Sequence, residues 1–133
     1  MRTETGHVIH LSDYTPTNFI LERTDLTFEL HPTETKVTAR TLFCRRPGTA
    51  LDAPLVLDGD ELTVTAVLLD GLDMPAGQYE IANDQLTIRD LPESVTFEIT
   101  VETLLSPETN TQLMGLYRTN NIYCTQCEAE GFR

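Results

Sequence analysis

Between Val95 and Glu102 apolar and polar residues alternate without a break: Val95, Phe97, Ile99 and Val101 against Thr96, Glu98, Thr100 and Glu102. A period of two places successive side chains on opposite faces of a strand. It cannot serve a helix, whose apolar stripe recurs at three and four residues. This run therefore predicts a long central or near-central β-strand with one buried and one wet face. Any fold for the chain must be built around it.

Other stretches agree with that strand. From Ile20 to Leu30 the apolar residues Ile20, Leu26, Phe28 and Leu30 fall on even positions and Arg23, Asp25, Thr27 and Glu29 on odd ones, which predicts a second half-buried strand. His31 to Thr35 is a turn in which Pro32 ends the ladder. Lys36 to Cys44 returns with Val37, Ala39 and Phe43 inward and Lys36, Thr38 and Arg40 outward; Cys44 falls on the outward phase. Arg45 to Gly48 is a loop. Leu55-Val56-Leu57 is a short continuous apolar strand, expected to be covered on both faces. Asp58 to Asp60 is a turn, Leu62 to Leu69 is β-rich, and Asp70 to Asp73 turns again. Tyr79 to Ile81 and Leu86 to Ile88 flank Ala82-Asn83-Asp84-Gln85 and read as a hairpin. Ser106 to Asn110 is a loop. No amphipathic helix stands out.

Short strands at close spacing predict an all-β fold, an antiparallel β-sandwich or saddle-shaped sheet pair. Phe28, Phe43, Val95, Phe97 and Ile99 are its expected core. Residues 1–17 read as an N-terminal arm and residues 18–133 as one domain.

Charge narrows the function. With 21 acidic and 9 basic residues the formal net charge is −12. Nucleic acid demands a basic face, and anionic membrane attracts basic segments, so neither is an expected partner. No apolar run approaches the roughly 20 residues of a membrane span, and the first residues lack the apolar stretch of a secretory signal. Three cysteines, an odd count, fit a reducing compartment. The expectation is a cytoplasmic protein.

The final stretch, Gly115 to Arg133, is where the alternation stops and unlike residues crowd together. Such a polar, specific segment after a regular scaffold is the first place to look for function. In a strand, Gln126, Glu128 and Glu130 would share one face. A carboxylate beside a neutral amide suits an ammonium group: Glu128 would accept charge-assisted hydrogen bonds and Gln126 would offer a neutral acceptor. Composition alone favours a solvated acidic turn, since polar runs are usually surface. Cys124-Thr125-Gln126-Cys127 matches C-x-x-C. A zinc half-site would need two more ligands at matching spacing, and a redox site would need a helix N-terminus, so two reduced thiols is the simpler reading. His7 and His10 read as surface histidines, and Asp58, Asp60 and Glu61 lack the spacing of a calcium loop. No nucleophile–histidine–acid arrangement or phosphate-binding glycine loop is present.

The run Met114-Gly-Leu-Tyr-Arg118, followed by Cys124-Thr-Gln-Cys-Glu-Ala-Glu-Gly-Phe-Arg133, closely resembles a signature of bacterial aminopeptidase N, a zinc-dependent gluzincin aminopeptidase. Asp13 to Phe19 and Leu26 to Leu30 also resemble that family's opening. The resemblance implies the N-terminal β domain of an enzyme that removes N-terminal residues from peptides. It implies that Gln126 and Glu128 help bind the substrate's α-ammonium, and that Glu130 is structural, paired with Arg133 or another base. The family's His-Glu-x-x-His helix and downstream Glu are absent here. The resemblance therefore implies that zinc is bound outside this chain, by a catalytic domain of the same polypeptide. This piece alone would be inactive. It also implies that closing strands of the domain lie beyond Arg133, which would leave a bare edge prone to self-association. The competing reading is a stand-alone β-sandwich module whose acidic segment captures basic peptides or a partner.

Overall fold

The computed structural model describes residues 10–127. Ten strands follow a single 3-10 turn, Leu11–Asp13, and the described residues contain no α-helix. The strands are β1 (Phe19–Glu29), β2 (Thr35–Arg45), β3 (Leu55–Asp58), β4 (Thr63–Leu69), β5 (Leu72–Asp73), β6 (Tyr79–Ala82), β7 (Gln85–Ile88), β8 (Thr96–Leu105), β9 (Gly115–Thr119) and β10 (Ile122–Gln126). All pairings are antiparallel. They form a five-stranded sheet in the order β1-β2-β8-β4-β5, a three-stranded sheet β3-β7-β6, and the separate hairpin β9–β10. The alternating strand β8 lies at the centre of the large sheet, as its pattern requires.

The two larger sheets share one core. Phe19, Phe43, Val67, Phe97 and Ile99 of the large sheet meet Leu55, Leu86 and Ile88 of the small one, with Met74 and Leu91 added from loops. Phe97 organises this core. It stacks on Phe43 at 5.8 Å between ring centroids and meets Phe19 edge-on at 5.6 Å, both favoured aromatic geometries. The fold is thus the β-sandwich that the periodicity implies.

Turn chemistry matches the chain at several points. Asn83 and Asp84 both have positive φ, 53° and 60°, as a two-residue type I′ hairpin turn requires between β6 and β7. Asp70 caps the β4–β5 turn, and its carboxylate accepts from the backbone N–H of Glu98 at 2.8 Å.

Four expectations are corrected. Phe28 is 40% exposed and Val95 is 66% exposed, so neither is core. The small sheet's strands are four residues long, against eleven for β1 and β2. At roughly 3.4 Å per residue they cover only part of the large sheet's length, and Leu26 and Phe28 lie on its outermost strand. Val95 precedes β8 in the chain and projects outside the sandwich. Val56 is 45% exposed, so β3 is covered on one face only. Arg45 is the last residue of β2 rather than a loop residue, and it is buried.

Arg45 closes one end of the sandwich. Its guanidinium donates to Ala50 O at 2.9 Å and to Pro92 O at 3.1 Å. It also stacks over the Phe19 ring at 5.2 Å, a cation–π contact. A buried cation thus ties two loops to the end of β2. At the other end of β2, Thr35 is fully buried. Its hydroxyl donates to His31 O at 2.7 Å and accepts from His31 N at 3.0 Å.

Candidate functional site

The described part of the distinctive final segment folds as the hairpin β9–β10, Gly115 to Gln126. Its register pairs Gly115 with Gln126, Tyr117 with Cys124 and Thr119 with Ile122, and, on the other face, Leu116 with Thr125 and Arg118 with Tyr123. Asn120 and Asn121 form the turn with φ of 49° and 64°, values that asparagine tolerates better than most residues. The sequence carried this signal: Asn-Asn sits between Leu-Tyr-Arg-Thr and Ile-Tyr-Cys-Thr, two β-prone runs. The loss of strict alternation hid it.

Three contacts fasten the loop before the hairpin to the sandwich and the hairpin to that loop. Glu108 N donates to Pro32 O at 2.9 Å, in the turn between β1 and β2, and Arg118 N donates to Pro107 O at 2.9 Å. Pro107 itself is fully buried. Gln112 Nε2 donates to Glu61 Oε1 at 3.0 Å, near the start of β4. Arg118 then braces the turn: it donates to Glu108 Oε1 at 3.2 Å and Asn121 Oδ1 at 2.9 Å, and lies over the Tyr123 ring at 5.7 Å.

Asn110 is the clamp at the open end of the hairpin. Its Nδ2 donates to Met114 O at 2.7 Å and Leu116 O at 2.9 Å, and its Oδ1 accepts from Leu113 N at 3.2 Å. These bonds hold the irregular entry to β9, where Leu113 has φ 58° and Gly115 φ 66°. Gly115 tolerates that backbone because it lacks a Cβ. The carbonyls fixed by Asn110 flank Gly115, the residue paired with Gln126. Asn110 therefore sets where Gln126 stands, and nothing in the local sequence pattern announces it.

Gln126 ends β10 and is exposed. It shares a face with Cys124 and Tyr117 by the register. Glu128, Glu130 and Arg133 lie outside the described residues. Cys44, Cys124 and Cys127 are free thiols. Cys124 is half-buried, its S–H directed at Ile122 O at 3.9 Å. Among the described residues no three His, Cys, Asp or Glu side chains converge to hold a metal. Two concavities on the described surface, one near Tyr79 and Arg89 and one near Glu34, Glu61 and Leu104, include no residue of β9 or β10. Gln126 stands exposed at the open end of the hairpin, away from the Asn120–Asn121 turn.

The antiparallel β-sandwich with its separate hairpin is similar to a portion of proteins that are aminopeptidases. In sequence the chain is homologous to the N-terminal region of aminopeptidase N. It is 44% identical over 133 residues to aminopeptidase N of Caulobacter vibrioides, spanning all of this chain and 15% of that protein. It is 40% identical over 121 residues to aminopeptidase N of Escherichia coli, spanning 91% of this chain and 13% of that protein. In structure it matches Legionella pneumophila aminopeptidase A, solved in complex with aspartic acid, with a TM-score of 0.80 and 29% identity over 91% of this chain and 14% of the other. The chain thus spans about one seventh of the length of the relatives it matches. No family model matches it.

Proposed function

We propose that this chain is the N-terminal β domain of a zinc aminopeptidase that removes N-terminal amino acids from peptides, and that its last hairpin forms one wall of the substrate site. The observation that carries this reading is the end-to-end likeness to aminopeptidase N, with Gln126 held at the exposed end of a braced hairpin. The zinc and its ligands belong to a catalytic domain of the same polypeptide, and this piece alone is inactive. The recognised group is the α-ammonium of a peptide's free N-terminus. The Gln126 side-chain oxygen accepts one of its hydrogen bonds, and the Glu128 carboxylate supplies a charge-assisted one. An enzyme that must find this cation before it cuts will act at chain ends and spare internal bonds.

The test uses the intact polypeptide. Glu128→Gln preserves shape and removes charge. A hydrogen bond to a charged group is worth roughly 1.5–3 kcal/mol, so kcat/KM for a free-amine substrate should fall by about ten- to a few hundredfold. Zinc content and folding should be unchanged, and Gln126→Ala should show a smaller loss. Glu130→Gln should act through stability. A Glu128→Gln enzyme within about twofold of wild type on free-amine substrates would refute the ammonium assignment.

A further inference from the structure

The hairpin β9–β10 has two unlike faces. On one, Arg118 pairs with Tyr123 and bonds to Glu108 of the preceding loop. On the other, Tyr117 pairs with Cys124 and Gly115 with Gln126. Directly opposed side chains of an antiparallel pair stand about 4.5–5.5 Å apart at Cβ and normally touch. The residue across from Gln126 brings no side chain. A Cβ placed at Gly115 would meet nothing within 4 Å among the described residues. The backbone fixes this gap in place. Gly115 has φ 66°, a conformation in which most L-residues are strained. The carbonyls on either side of it, Met114 O and Leu116 O, both accept from the Asn110 amide, at 2.7 Å and 2.9 Å. Toward the turn the gap is bounded by the half-buried Tyr117–Cys124 pair. A glycine inside a strand often marks a place where a ligand comes close to the backbone.

We infer that this gap receives the first residue of the peptide, and that Gly115 is a specificity-determining residue that sets how bulky the first side chain can be. The inference rests on the reading that Gln126 binds the α-ammonium. The carbon that carries the first side chain is bonded directly to the ammonium nitrogen. An ammonium held at Gln126 therefore brings the first residue to the space across from Gln126. The bare backbone of Gly115 is the surface on which that residue lies. With no side chain there, a large first residue is admitted beside a small one. A methyl group at this position takes room from the large residue first, and one methylene in a substrate pocket discriminates by roughly ten- to two-hundredfold.

The test uses the intact polypeptide, with kcat/KM measured on the 4-nitroanilides of alanine and phenylalanine and a thermal melt of each variant to establish folding. Gly115→Ala should lower the phenylalanine-to-alanine ratio of kcat/KM about tenfold. Gly115→Asn suits a positive φ better than alanine does, so it tests the gap even if the alanine variant folds poorly, and it should lower the ratio further. Gly71→Ala controls for backbone strain. Gly71 has φ 80° and equally open surroundings but lies in the β4–β5 turn, and its variant should leave the ratio unchanged. An equal fall on both substrates in the Gly115 variants would overturn the inference, because the glycine would then act only through the backbone or through packing against the catalytic domain. An unchanged ratio would overturn it too. Gln126→Ala separates this inference from the ammonium reading, since it should lower both substrates alike. Wild-type activity in Gln126→Ala beside a shifted Gly115 ratio would refute the ammonium reading and leave the gap standing. A Gln126→Ala loss beside an unshifted ratio would refute the gap alone.

Discussion

Asn110→Asp isolates the clamp that places Gln126. The substitution keeps the oxygen that accepts from Leu113 N and replaces the amide that donates to Met114 O at 2.7 Å and Leu116 O at 2.9 Å. Two part-buried bonds are lost, each worth about 0.5–1.5 kcal/mol. An ionised oxygen is also left facing two carbonyl oxygens, a repulsion of similar size in a partly desolvated place. The hairpin should therefore lose about 2–4 kcal/mol against the rest of the domain. Asn110→Ala removes all three bonds without adding a charge and should lose about 1.5–4.5 kcal/mol. Hydrogen exchange resolved by residue is the right assay, because the hairpin is a separate two-stranded sheet and can open without the core. Protection of β10 amides should fall about thirtyfold or more in the Asp variant, while β2 and β8 amides hold. The introduced carboxyl has its charged form disfavoured in the fold, so its pKa is raised. The penalty is then complete above the folded-state value and shrinks as pH falls toward the unfolded one. If β10 protection in the Asp variant stays at the wild-type level at neutral pH, or its deficit does not ease on acidification, the clamp is misread.

Two further predictions concern the sandwich. Arg45→Ala strands the carbonyls of Ala50 and Pro92 and removes the contact over Phe19. Part of this is offset by releasing a buried cation whose Nε has no hydrogen-bond partner, so urea unfolding should report a net loss of about 2–4 kcal/mol; a loss under about 0.5 kcal/mol would show that the cation contributes little. The Asp25 carboxyl is held below its ordinary value, chiefly by the hydrogen bond from Arg23, with the charges of Arg23 and Arg40 adding to it and desolvation opposing. A depressed folded-state pKa contributes stability that is present above the unfolded value and lost as pH falls through the folded one. An NMR titration of Asp25 should accordingly find its midpoint below that of an unstructured Asp, and Arg23→Gln should move it up; a midpoint unmoved by that change would contradict the assignment.

Strand-forming segments were legible because period two is a local property. The alternation in β1, β2 and β8 required nothing beyond neighbours in the chain, and it placed Phe43, Phe97 and Ile99 on the buried face. The β6–β7 hairpin was equally legible, since Asn83 and Asp84 tolerate the positive φ of its turn. Resemblance in the last segment pointed to Gln126 and Glu128, and the structure describes only the first of them. The β9–β10 hairpin escaped notice because both of its strands mix polar and apolar residues on each face, which erases the alternation while leaving the Asn120–Asn121 turn intact.

Alternation states which residues share a face, and it is silent on what covers that face. Phe28 and Phe97 look alike in sequence, yet one is 40% exposed and the other 2%. The difference is set by a three-stranded sheet whose strands are only four residues long and by the position of β1 at the edge. Arg45 shows the same limit from the polar side: a charged residue after a strand reads as loop, and only the meeting of Ala50, Pro92 and Phe19 around it makes burial tolerable. Asn110, too, acquires its role only when the chain folds back and brings the carbonyls of Met114 and Leu116 to its amide. Strand identity was determined by the order of side chains along the backbone; coverage, edge position and the clamp on Gln126 were decided by contacts that exist only once distant segments pack.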